Sequence, residues 1–167
     1  MTTTHNGPRP LPIIHLNAFP GTGKLAIAKE LFLINRAATY ASAYIFTDFQ
    51  SSNDLGSATC EEYAACAKAR GCDYIPITLH RDEELGLERL NISDRTPHGK
   101  LSNTEQERGS RHNGELYKID EYDASLSLDI TNLSVKEAAT KIFEHLVRVS
   151  PVLRASQNVD VSDWMIF

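Results

Sequence analysis

The stretch from Ile13 to Leu31, with the sequence IIHLNAFPGTGKLAIAKEL, constrains the fold of this chain more than any other. It begins with an apolar run that is typical of a buried strand and ends in a tract that favours helix. Between them lies a loop with two glycines, Gly21 and Gly23, which is followed by Lys24. Glycines let a loop turn its N–H groups around an anion, while the helix N-terminus and the lysine add positive charge. We therefore expect a strand–loop–helix unit that binds phosphate.

The loop follows the phosphate-loop pattern G-x-x-x-x-G-K-[ST] with two departures. When Gly23 and Lys24 occupy the Gly-Lys positions, Ala18 stands at the first glycine and Leu25 at the hydroxyl residue. The second departure is the larger, because a serine or threonine there normally ligates the magnesium ion that bridges the phosphates. Thr22 is then the hydroxyl residue that remains in the loop. The alternative is an ordinary strand-to-helix turn in which the glycines serve only the bend.

The composition is that of one globular domain, with 167 residues, 41% of them hydrophobic and 23% charged. The net charge of -5 and the lack of a Lys/Arg cluster argue against nucleic acid or an anionic membrane as a partner. No apolar signal region begins the chain, and no run of 18 apolar residues occurs. The three cysteines have no C-x-x-C spacing, which favours reduced thiols over disulfides or a zinc site. We expect a soluble, cytoplasmic protein.

Patterns typical of strands and helices alternate along the rest of the chain. Strands are predicted at residues 43–49, 74–80 and 125–131. Helices are predicted at 23–38, 55–70 and 83–90, from Ser102 toward Tyr117, and after a capping box formed by Ser134 and Glu137. This alternation predicts an α/β fold, a three-layer sandwich with a mostly parallel sheet of about four strands.

The sequence divides into three parts. Residues 1–12 are expected to form a flexible lead, residues 13–150 the domain, and residues 151–167 a C-terminal tail. The tail is polar until its last four residues, which are Trp164 to Phe167. Those apolar residues either dock on the domain or offer a small apolar end to a partner.

Two polar residues interrupt the predicted strands. Asp48 ends the second strand, where an acid can hold a metal-bound water, because ligands collect outside the C-terminal ends of parallel strands. Alternatively, Asp48 and the polar residues after it cap the next helix. His15 lies inside the first strand, and we expect a hydrogen-bonded core histidine rather than a catalytic one.

A polar loop at residues 91–103 carries Arg95 and Lys100. A loop of this length without periodicity is typical of a mobile lid that covers phosphates, although an ordinary solvated loop is the alternative.

The order of these features resembles that of small phosphate-loop kinases, such as shikimate kinase, gluconate kinase, chloramphenicol phosphotransferase and a group of fungal kinase-like proteins. The resemblance rests on residues 13–31, 44–50, 72–90 and 126–146. It implies that ATP lies between the loop and the lid, with Mg²⁺ near Thr22 and Asp48 and with Lys24 on the transferred phosphate. The residues implied in nucleotide binding are Pro20, Gly21, Thr22, Gly23, Lys24 and Leu25, together with Arg95 and Lys100.

The chain departs from these kinases after the first helix. There the family carries a further strand and substrate-binding helices, whereas here residues 37–42 connect the helix directly to the strand that begins at Ala43. One hypothesis is an ATP-dependent kinase that phosphorylates a small hydroxylated metabolite, with Lys24 and Asp48 as catalytic residues. The other is a kinase-like protein that has lost catalysis and binds ATP, ADP or a partner. A mis-spliced sequence that lacks this part is a third alternative.

Overall fold

The structure, a computed structural model, describes residues 9–34, 43–90, 115–117, 122–156 and 164–166. The strands in this part of the chain are β1 (Ile13–Ala18), β2 (Ala43–Asp48), β3 (Tyr74–His80), β4 (Leu126–Asp129) and β5 (Trp164–Ile166). The helices are α1 (Lys24–Ile34), α2 (Asp54–Arg70), α3 (Glu83–Leu90), α4 (Val135–Val149) and α5 (Pro151–Ser156).

The strands form one sheet with the order β4-β3-β1-β2-β5, and each pairing between neighbours is parallel. β1 is central, with Asn17 opposite Asp48 of β2 on one side and opposite Thr78 of β3 on the other. From β1 the chain proceeds to β2 on one side and then crosses to β3 on the other. In open parallel sheets, ligands bind at such a reversal, outside the carboxyl ends of the strands. The loop after β1 lies at that end.

The two faces of β1 differ in chemistry. Ile14, Leu16 and Ala18 are fully buried in the core beneath α1 and α4. On the other face Ile13 packs with residues of α2, and strand alternation places His15 and Asn17 on this same face. Helices therefore cover both faces of a parallel sheet, which confirms the predicted α/β three-layer class. The face toward α2 is the one on which buried polar residues interrupt the apolar pattern.

Local signals account for several element ends. The Ser134 side chain accepts a hydrogen bond from the Glu137 N–H, and the Glu137 carboxylate accepts one from the Ser134 N–H, so the predicted capping box begins α4. Gly71 ends α2 with φ of 73°, a backbone conformation that glycine adopts without steric cost. Pro76 precedes the part of β3 that pairs with β4, because that pairing begins at Ile77. A residue without an N–H is tolerated at such an unpaired position.

Two expectations about the later part of the chain need correction. β4 is not the last strand, because the end of the tail pairs with β2 as β5, with Trp164 opposite Ala43. The tail therefore docks, and the reason is that the outer edge of β2 offers unpaired N–H and C=O groups. α5 follows α4 directly, and its Leu153 lies in the core at 1% exposure.

The helix predicted toward Tyr117 does not reach that residue. Residues 115–117 are not helical, and Leu116 forms an antiparallel bridge with Ser51 just after β2. The remainder of that predicted helix, the predicted lid with Arg95 and Lys100, and the lead at residues 1–8 lie outside the described residues. None of the described helices has both the length and the apolar character needed to cross a membrane.

Candidate functional site

The loop after β1 depends on its two glycines. Gly21 has φ of 84° and Gly23 has φ of 98°, values that residues with a side chain rarely adopt. Between them Thr22 is almost fully buried, and its N–H and hydroxyl both donate to the Phe19 carbonyl, at 3.3 Å and 2.5 Å. The first bond of α1 follows at once, from the Ile27 N–H to the Gly23 carbonyl. The loop is thus a tight turn that leads directly into a helix N-terminus.

The Lys24 side chain folds back over this loop. Its Nζ donates to the carbonyl of Ala18 at 2.9 Å and to that of Phe19 at 3.4 Å. These carbonyls close β1, so the ammonium group lies at the carboxyl end of the central strand, beside the glycine turn. A full positive charge and the partial positive charge of the α1 N-terminus therefore occupy the same end of the sheet.

The helix-cap interpretation holds for Asn53, one of the polar residues after Asp48, and not for Asp48 itself. Asn53 fills that role, since its side-chain oxygen accepts a hydrogen bond from the Gly56 N–H at 2.8 Å. The Asp48 side chain turns instead toward β1 and α2. Its Oδ1 lies 2.5 Å from Nε2 of His15, and its Oδ2 accepts hydrogen bonds from Gln50 at 2.9 Å and from the hydroxyl of Tyr63 at 2.8 Å.

His15 connects this carboxylate to a second tyrosine. Its Nδ1 lies 3.0 Å from the hydroxyl of Tyr74, and its own side chain has no exposure to solvent. A carboxylate can only accept, so Nε2 of His15 donates to Asp48, and the Tyr74 hydroxyl can then donate to Nδ1. The expectation of a hydrogen-bonded core histidine fits these contacts. We call this group, which consists of Tyr74, His15, Asp48, Tyr63 and Gln50, the buried polar network.

The network favours an ionised Asp48. Burial is the largest single influence on the pKa of Asp48 and opposes ionisation. The hydrogen bond and electrostatic attraction from His15, together with the hydrogen bonds from Gln50 and Tyr63, outweigh burial and lower that pKa overall. Burial raises the pKa of Tyr63, and its hydrogen bond to Asp48 adds to the effect. Burial likewise raises the pKa of Tyr74. Both tyrosines therefore remain protonated donors around a charged carboxylate.

Asn17 anchors the strand ends near the loop. Its amide nitrogen donates to the carbonyls of Gln50 at 3.1 Å and Tyr117 at 3.0 Å, and its oxygen accepts from the Gln50 N–H at 2.8 Å. The Phe19 and Phe49 rings pack beside this anchor, with centroids 5.1 Å apart. Asn17 thus ties β1 to the segment after β2 and to residues 115–117, while Thr22 and Lys24 bond within the loop itself.

The predicted metal ligands do not form a matching donor set. Leu25 presents only hydrocarbon, Thr22 is almost fully buried and its hydroxyl donates a hydrogen bond to the Phe19 carbonyl, and both oxygens of Asp48 already accept hydrogen bonds. Within the described ranges, no group of three or more His, Cys, Asp or Glu side chains could hold a metal ion. The residues present therefore do not fit Mg²⁺ in the way that the kinase resemblance implies.

The cysteines are free thiols, as the sequence predicted. Cys60 is buried beneath the network, and burial raises the pKa of its thiol to about 12, with the Asp48 charge adding to the shift. It is therefore an unreactive core thiol.

A cleft of about 400 Å³ lies between the C-terminal half of α2, Tyr74 and Tyr122. Because Tyr74 is the first residue of β3, this cleft is at the amino ends of the strands, away from the glycine loop.

Sequence reasoning identified the loop and Asp48 but missed Tyr63, Tyr74 and Gln50. The available signal was His15, because a histidine in the central strand of a parallel sheet must find buried partners. Nothing in the local pattern identified those partners.

No family model and no curated protein matches this chain. Among solved structures, the fold is similar to that described as "Crystal structure of APE1195", with a TM-score of 0.57 and 13% sequence identity. The match covers 84% of this chain and 97% of that one. At this identity the similarity shows a shared fold and nothing about activity.

Proposed function

We propose that this protein binds the phosphates of ATP or ADP at the loop from Pro20 to Leu25. The observation that carries the proposal is the combination of two positive-φ glycines, a helix that begins at Lys24, and the Lys24 ammonium group at the end of β1. Backbone N–H groups and a lysine gathered at a helix N-terminus attract phosphate oxygens. Charge-assisted hydrogen bonds of this kind contribute roughly 1.5 to 3 kcal/mol each.

The contacts of Asp48 favour binding over catalysis. A general base needs an oxygen that can reach the proton it removes, and both Asp48 oxygens already accept hydrogen bonds from His15, Gln50 and Tyr63. An ATP- or ADP-binding module without phosphoryl transfer is therefore the function that the geometry supports best.

Thermal denaturation with and without nucleotide tests the proposal. A ligand that binds only the folded state stabilises it by RT ln(1 + [L]/Kd), which is about 2.7 kcal/mol when the ligand is at 100 times Kd. For a chain of this size that stabilisation raises Tm by roughly 5 to 11 °C. We expect ADP and ATP to raise Tm by several degrees, and a flat response to both would contradict the proposal.

A matched pair of lysine variants on α1 distinguishes the loop from general charge effects. Lys24→Met removes the ammonium group beside the loop and keeps most of the apolar stem, so it should abolish the nucleotide-induced shift. Lys29→Met removes the same charge from an exposed position of the same helix and should leave the shift intact. Each shift is measured relative to the variant's own Tm without nucleotide. Equal responses of the two variants would show that the loop is not the site.

Phosphorylation of a small hydroxylated metabolite is the second candidate. One observation favours it: the ionised Asp48 side chain lies at the end of the strand next to β1 and is 24% exposed. If a substrate hydroxyl displaced the Gln50 or Tyr63 bond, Asp48 could accept its proton. ADP release from ATP, measured over a panel of sugars, polyols and hydroxy acids at high protein concentration, tests this function. Turnover that Asp48→Asn abolishes would establish catalysis.

A further inference from the structure

The loop lacks the oxygen ligands with which a protein holds the magnesium of a bound nucleotide. Mg²⁺ demands near-octahedral oxygen ligands at about 2.0–2.1 Å and usually takes one or two from the protein besides phosphate and water. In the phosphate-loop pattern the first is a hydroxyl directly after the lysine, and Leu25 occupies that position.

Thr22 does not replace that hydroxyl. It is 1% exposed, and its Oγ1 lies 2.5 Å from the Phe19 carbonyl, to which it donates. To reach a metal on the phosphates, the side chain would have to leave a buried bond that also closes the turn. The cost of leaving the Phe19 carbonyl without this donor opposes such a movement.

Both carboxylate oxygens of Asp48 also have hydrogen-bond partners already. One carboxylate oxygen pairs with His15, and the other accepts from Gln50 and Tyr63. These three hydrogen bonds occupy all but one of the four lone-pair positions of the carboxylate, and a metal ion at the fourth would lie beside the His15 N–H. Within the part of the chain that the structure describes, each of the three candidate positions, Thr22, Leu25 and Asp48, is therefore either apolar or already hydrogen-bonded.

We infer that the loop binds its nucleotide as the metal-free anion, and that a nucleoside diphosphate is the favoured ligand class. Because the described residues offer no oxygen placed to hold Mg²⁺, the attraction rests on Lys24 and the α1 N-terminus acting on the bare phosphate charge. Magnesium neutralises that charge and so weakens the attraction. ADP holds magnesium less tightly than ATP does, so more of it is present in the required form. This inference rests on the proposed function.

Calorimetric titration of the full chain with ADP, in excess EDTA and in excess MgCl₂, tests it. We expect the Kd in magnesium to exceed the Kd in EDTA. A Kd in magnesium that is equal to or below the Kd in EDTA would overturn the inference while leaving the proposed function in place. Failure to bind ADP under both conditions would overturn the proposed function and the inference with it.

Two variants of Leu25 test whether the missing hydroxyl is the cause of this preference for metal-free ADP. Leu25→Thr restores the hydroxyl of the pattern, and Leu25→Val introduces a side chain of the same shape without it. Leu25 is half-buried in the first turn of α1, and both replacements are β-branched, so their effects on helix stability match. We expect magnesium to tighten ADP binding to the threonine variant by about tenfold, or about 1.4 kcal/mol, and to weaken ADP binding to the valine variant as it does in the wild type. The same magnesium response in both variants would overturn the inference.

Discussion

Replacing His15 with leucine removes the centre of the buried polar network while nearly preserving side-chain volume. The change leaves Oδ1 of Asp48 and the hydroxyl of Tyr74 without their partner. A buried polar group left unsatisfied costs about 1 to 3 kcal/mol, and the Tyr74 side chain, in a residue 7% exposed, bears that cost in full. Asp48 is 24% exposed and recovers part of its loss from water.

The two losses together amount to about 3 kcal/mol, and the greater hydrophobicity of leucine offsets about 1 kcal/mol of them. We therefore expect His15→Leu to lower the free energy of unfolding by about 2 kcal/mol. For a chain of this length that corresponds to a fall in Tm of roughly 4 to 8 °C. Urea denaturation followed by circular dichroism measures the first quantity, and calorimetry measures the second.

Two comparisons make this prediction specific. Tyr74→Phe removes only the outer hydroxyl and should cost about 1 kcal/mol. A double-mutant cycle between His15→Leu and Asp48→Ala should show a coupling energy of about 1 kcal/mol, because the two residues share one bond. If the free-energy changes of the two single variants sum to that of the double variant within about 0.5 kcal/mol, the His15–Asp48 hydrogen bond does not stabilise the protein.

The destabilisation caused by His15→Leu should depend on pH. The pKa of Asp48 is lower in the folded state, so its stabilising effect is present above its unfolded value of about 4 and is lost as the pH falls through the lower folded value. The stability difference between the wild type and His15→Leu should therefore be complete near neutrality and shrink in acid. A difference that grows below about pH 4 would reverse the assigned sign.

Three further perturbations test other parts of the structure. Gly23→Ala forces an alanine to φ of 98°, so it should lower the free energy of unfolding by about 1 kcal/mol or more and abolish the ADP-induced Tm shift. Its control, Gly71→Ala at φ of 73°, should lower the free energy of unfolding by a similar amount and leave the shift unchanged. Ser134→Ala removes the capping box of α4 and should lower the free energy of unfolding, measured by urea denaturation, by about 1 kcal/mol. An unchanged free energy of unfolding would show that the capping box does not stabilise the protein. Deletion of residues 164–167 uncovers the edge of β2 and should increase self-association relative to the full chain, as measured by light scattering. A molecular mass that is unchanged at every concentration would show that β5 does not protect this edge.

Much of the fold could be predicted because its signals are local. The capping box at Ser134 and Glu137 and the glycine after α2 involve residues a few positions apart, and the structure has both. The alternation of strands and helices likewise predicted a parallel sheet with helices on both faces. The helix expected toward Tyr117 was wrong near its end, because Leu116 pairs with Ser51, a residue 65 positions earlier in the chain. The resemblance to small kinases stays a prediction, since a shared fold does not decide activity.

The sequence by itself determined the strand–loop–helix unit around Gly21, Gly23 and Lys24, because glycine conformation, helix start and charge all follow from neighbouring residues. Only the tertiary structure decided the partners of Asp48, which come from β1, the segment after β2, and α2. It alone also decided that the tail closes the sheet beside β2. The physical reason is the same in both cases: a pattern indicates which face of an element is buried, whereas the packing of distant elements decides what that face meets.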